Sequence, residues 1–102
     1  MKVYIVLHHE IFQNGKSYRA DEMVFYVVSS MKKALEAIKK SSVESYSWWE
    51  IQEQLLDDPE GNWPEHVGYY GRRGGKLSKP PYDRAVTLYK TCKADKNHHL
   101  NA

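Results

Sequence analysis

The chain holds a single cysteine, Cys92, among its 102 residues. An intramolecular disulfide is therefore impossible, and no second thiol stands near enough in sequence to form a zinc knuckle or a redox pair. Long apolar runs are missing too. Val3 to Leu7 is the first candidate, but His8, His9 and Glu10 break it before it reaches the length of a secretory core, and no stretch approaches a membrane span of about twenty apolar residues. The expectation is a cytoplasmic protein without contact with a membrane. Nucleotide-binding and nucleophile motifs are absent as well. There is no G-x-S-x-G and no dinucleotide-type glycine pattern, and Gly71-Arg72-Arg73-Gly74-Gly75 lacks the Lys-Ser/Thr that completes a phosphate loop. Positive charge is wholly lacking from residues 41–70, which hold seven acids and no Lys or Arg. Residues 1–40 carry +3 and residues 71–102 carry +6, within a net charge of +2. Charge segregated along a chain is commonly mixed again in space, so the basic C-terminal part is expected to fold against the acidic segment.

What is present suits one domain. A chain of this length builds one hydrophobic core and can be stable without metal or disulfide. Residues 2–9 alternate Val3, Ile5 and Leu7 with Tyr4, Val6 and His8, the pattern of a strand. Asn14-Gly15 marks a hairpin turn. Met23 to Ser29 is apolar at nearly every position, which predicts a second strand covered on both faces, at the centre of the sheet. Ser29-Ser30 opens a helix over residues 30–40, with Met31, Ala34, Leu35 and Ile38 at helical spacing. Residues 46–57 admit two readings. Ser47-x-x-Glu50 is a capping box, whereas Trp49, Ile51 and Leu55 fit period two; the adjacent tryptophans followed by Ile favour a strand. A turn at residues 57–62 and a returning strand at residues 65–71 follow. Gly71 to Pro81 reads as a mobile loop. Tyr82 to Cys92 reads as a helix capped by Asp83, with a strand as the alternative. The expected fold is α+β: an antiparallel sheet of about four strands, one helix on one face, and an undecided C-terminal helix or strand. The domain is expected to occupy residues 1–92, with residues 93–102 as a flexible C-terminal tail.

The residues Val3-Tyr4-Ile5-Val6-Leu7-His8, the entry Ser29-Ser30-x-x-x-Ala34 and the pair Trp49-x-Ile51 make the first 57 residues resemble small bacterial and phage domains of unknown function with a β-β-α-β-β plan. The resemblance implies a fold and carries over no activity and no functional residue.

Chemistry-bearing residues are sparse. His8 and His9 adjoin on a strand, so they face opposite ways and cannot chelate one ion together, although His66 could approach one of them across the sheet. His98 and His99 read as solvated tail residues. His8, His66, Glu10 and Glu50 could serve acid–base catalysis, but no spacing links them. Cys92 without a base reads as a small hydrophobe. No catalytic residue, metal site or cofactor is expected. Two surfaces are. The first is a nucleic-acid-binding loop at residues 69–79, where Tyr69 and Tyr70 precede Arg72, Arg73, Lys76 and Lys79, rings and cations being what single strands require. The second is a protein interface of Tyr46, Trp48, Trp49 and Trp63 within the acidic segment. If Tyr4, Tyr26, Trp48, Tyr69 and Tyr70 share the sheet face opposite the helix, that aromatic face needs cover from the C-terminal segment, a second subunit or a ligand. The leading expectation is a non-enzymatic interaction or regulatory module that homodimerises through this face. The alternative is single-stranded nucleic-acid binding.

Overall fold

A computed structural model describes residues 1–57 and 59–101, the side chains of residues 94–101 excepted. The chain is α+β, with an open five-stranded antiparallel sheet and two helices. The first strand, β1 (Lys2–Asn14), turns through Gly15 and Lys16 into β2 (Ser17–Val28). Gly15 takes a φ of 64°, which a two-residue hairpin of this kind needs at its first central position. The helix α1 (Met31–Lys40) then carries the chain across one face to β3 (Ser47–Leu55), which pairs with the free side of β1. β4 (Glu65–Tyr70), the short β5 (Lys76–Leu77) and α2 (Tyr82–Asn101) complete the chain, and the strand order is β2-β1-β3-β4-β5.

Local sequence explains most of these elements. The Ser30 hydroxyl accepts from the Lys33 amide at 3.2 Å and so caps α1, while Lys39 and Lys40 occupy its last turn, where the helix dipole favours cations. Residues 46–57 are resolved in favour of the strand. A strand sends Trp48 and Trp49 to opposite faces, and each ring finds a core. On one face Val6, Trp49, Ile51 and Tyr70 pack with Ala34 and Ile38 of α1. On the other, Ile11, Tyr46 and Trp48 pack with Ala85 and Tyr89 of α2.

Four expectations are corrected. The sheet has five strands and carries two helices, because Gly74, at a φ of 89°, closes a tight turn in which the Gly71 amide donates to the Gly75 carbonyl at 2.7 Å. The loop expected from residue 71 is therefore a hairpin that returns β5 onto β4. The second follows from that hairpin: Lys76 and Leu77 form a strand where a mobile loop is expected, and α2 runs on through residues 93–101. The third is that the aromatic rings do not share one bare face. Tyr4 and Tyr70 lie against the α1 core, and Tyr69 and Trp48 lie against the α2 core, so α2 provides the missing cover. The last concerns the apolar run Met23 to Val28, which lies on the edge strand and not at the centre; Met23, Val24 and Val27 are each more than half exposed.

Candidate functional site

The loop cations lie beside residues 41–47 of the acidic segment, since Arg72 and Arg73 share cavities with Ser41, Ser42, Val43, Ser45 and Ser47. Among the described residues no carboxylate pairs with Arg72, Arg73, Lys76 or Lys79; Glu53 pairs with Lys2, and Glu22 and Glu50 pair with histidines. Among the described residues the expected neutralisation involves no contact ion pair there. Instead Arg72 and Arg73 share a cavity of about 350 Å³ with Arg84, Leu77, Ala85 and Leu88. The aromatic half of the nucleic-acid reading fares worse, since Tyr70 is buried and Tyr69 is half-buried with His66 at 4.4 Å between ring centroids. Cations remain on that surface without free rings beside them.

The tryptophan surface is also reassigned. Tyr46, Trp48 and Trp49 are core residues and offer a partner almost nothing, whereas Trp63 is 90% exposed. Cys92, on α2, is half-buried beside the Tyr46–Trp48 cluster, with its sulfur 3.6 Å from the Ser45 hydroxyl.

The unplanned site is a polar cluster on the α2 side of the sheet, beyond the helix-covered core. His9 lies opposite Glu22 of β2 and opposite Trp48 of β3, and its ring stacks on the indole at 5.4 Å with 8° between planes. Glu50 points to the same face. Its Oε1 is 3.2 Å from His9 Nε2, and its Oε2 accepts from His66 Nδ1 at 2.7 Å and from the Gln52 amide at 3.2 Å. Burial of this carboxyl pushes its pKa up, but hydrogen bonds from His66, Gln52 and His9, with the charge on His66, bring it below the ordinary carboxylate value. Glu50 is thus an anion held in a buried position. His66 is brought to His9's face as sequence had allowed, with Glu50 between them. Glu22 was missed, although counting back from the Asn14-Ser17 hairpin pair places it opposite His9.

His8, on the α1 face, is the opposite case. It is 6% exposed, lies 4.7 Å from the Trp49 ring and 5.0 Å from Phe25, and its Nε2 has no hydrogen-bond partner. Burial, then repulsion from His9, lowers its pKa. The charged groups that line the cavity beside it are Glu10, Asp21 and Glu44. A folded pKa below the unfolded one means that the unfolded chain binds the extra proton. The contribution to stability is therefore full above about pH 6.5 and is lost as pH falls from there through the folded value. His8→Phe keeps the ring contacts and removes the unpaired nitrogen. It should raise stability by about 1 kcal/mol at neutral pH and flatten the decline below about pH 6.5. Thermal melts of both proteins at neutral pH and near pH 5.5 test this; equal acid sensitivity in the variant would exclude His8 as the source.

Comparison of the chain with protein-family models, with curated proteins and with solved structures returned no match.

Proposed function

We propose that this chain is a non-enzymatic interaction module whose partner is a second copy of itself, joined along the outer edge of β2. The supporting observation is the state of that strand. β2 is 12 residues long and pairs on one side only. Its outward amides and carbonyls form a template for another strand. Natural edges are commonly blunted by charges, proline or bulges; residues 17–28 contain no lysine or proline, and their charges, Arg19, Asp21 and Glu22, precede the apolar stretch 23–28. The side chains match the backbone: Met23, Val24, Phe25, Tyr26 and Val27 are between 39% and 59% exposed, an apolar strip that a monomer would leave in water.

A second copy is the favoured occupant because an antiparallel strand is its own complement about a two-fold axis, so one sequence supplies both halves of a closed interface. Main-chain bonds provide the affinity, and the exposed side chains on both faces provide the apolar burial. The β-bulge at Phe25, which lets Val24 follow Tyr26 in pairing with β1, bends the strand and would set where the two copies register.

In size-exclusion chromatography with light scattering, the wild type should have twice the chain mass and dissociate on dilution. Val24→Lys with Val27→Lys should be monomeric at every concentration tested and retain the wild-type circular dichroism spectrum, because both positions are exposed in the monomer. A wild type that stays monomeric at the highest attainable concentration would sink the reading.

A further inference from the structure

The geometry points to a divalent-cation site of the zinc type on the α2 side of the sheet, made by His9, Glu22 and Glu50. These residues come from three neighbouring strands, β1, β2 and β3, and one ligand atom of each lies within 4.8 Å of the others. His9 Nε2 stands 3.2 Å from Glu50 Oε1 and 3.7 Å from Glu22 Oε2. A tetrahedral ion bound at about 2.0–2.1 Å holds its ligands about 3.3 Å apart, a spacing that these two distances bracket. Three protein ligands would leave a fourth position for water.

Charge argues in the same direction. Glu22 and Glu50 both approach a single imidazole nitrogen, and one N–H can serve only one of them well. Among the described residues, no Lys or Arg pairs with either carboxylate. The two carboxylates therefore face no lysine or arginine charge, and one divalent ion would balance both. The surroundings are also those of a built site. His66 and Gln52 donate to the far oxygen of Glu50 and so aim the near one at His9. Stacking on Trp48 fixes the plane of the His9 ring. Zinc suits one imidazole with two carboxylates, and binding requires His9 Nε2 to give up its hydrogen, so affinity should fall in acid.

The test is titration of the untagged full chain with zinc chloride in a calorimeter, with cobalt(II) absorption as a spectroscopic check on coordination. One ion per chain is expected. Glu22 is exposed and can be changed without disturbing the core, so Glu22→Gln should weaken binding about tenfold or more and leave the fold unaltered. His9→Phe, which keeps a ring over Trp48, should do the same, and His66→Ala should weaken it about 10- to 100-fold by releasing Glu50. His98→Gln with His99→Gln should bind like the wild type. No heat and no cobalt spectrum in the wild type would overturn the assignment. So would zinc affinity unchanged in Glu22→Gln and His9→Phe, or abolished in the His98/His99 variant, either of which puts the ion elsewhere.

Discussion

Trp49→Ala should leave little folded protein under conditions in which the wild type is stable. Trp49 is fully buried and is the largest side chain of the α1-facing core, where it touches the cluster of Val6, Ala34, Ile38, Ile51 and Tyr70. Its ring also meets Phe25 edge-on at 5.4 Å and supports His8 from below. Truncating a buried aromatic to alanine removes about 3–5 kcal/mol, transfer and cavity effects together. A domain of this size has about 5–15 kcal/mol in total, so the loss takes most or all of it. Urea unfolding followed by circular dichroism should show the midpoint falling sharply. Trp49→Phe separates packing from polarity. The indole Nε1 has no hydrogen-bond partner, so the substitution loses volume and no bond, and should be far milder. Equal losses in the two variants would contradict a packing role.

Tyr89→Ala should act on the other face, with a loss of about 3 kcal/mol concentrated in α2. Tyr89 is the ring by which α2 docks. It meets Tyr46 at 5.1 Å and Tyr18 at 5.9 Å, both edge-on, and is 9% exposed. The remaining attachments are small or partial: Ala85, Val86, Leu88 and Cys92 in the same cluster, and the Tyr82 hydroxyl donating to the Tyr18 carbonyl. Most of a helix's stability in a protein comes from packing of its apolar face, so a helix that loses its anchor should open locally. Hydrogen exchange should show α2 amides losing protection while those of β1 and β3 keep it. Uniform loss across sheet and helix would mean that the two faces form one cooperative unit, and the picture of a separately docked α2 would fail.

The two variants probe the feature that sequence reading grasped only in part. Adjacent tryptophans on a strand need two covered faces, and that necessity was visible in Trp48-Trp49 before any coordinates. Which segment covers the second face was not, because α2 reaches Trp48 only through contacts between residues more than 30 apart in sequence. The hairpin at Asn14-Gly15, α1 with its Ser30 cap and the strand at Glu65–Tyr70 were all legible, since turn chemistry and periodicity are local. β2 was recognised as a strand and placed wrongly. An unbroken apolar run is the signature of two-sided burial, but here α1 crosses from β2 over β1 to β3, which leaves β2 outermost with its apolar residues exposed.

The polar cluster divides in the same way. His9 and Glu22 face each other by hairpin arithmetic alone, and the pairing could have been counted. Glu50 and His66 could not. Glu50 arrives through the β1–β3 pairing, and a register shift between Ile51 and Gln52 moves His66 off any simple count along β4.

Sequence by itself determined where the chain turns, caps and alternates, because each of those properties is decided by neighbours within a few residues. Tertiary structure alone decided which strand lies at the edge, which rings are enclosed and which carboxylate is buried between two imidazoles. Those outcomes depend on strand order and on the face that each helix occupies, and the free energies that choose them belong to pairings between distant segments.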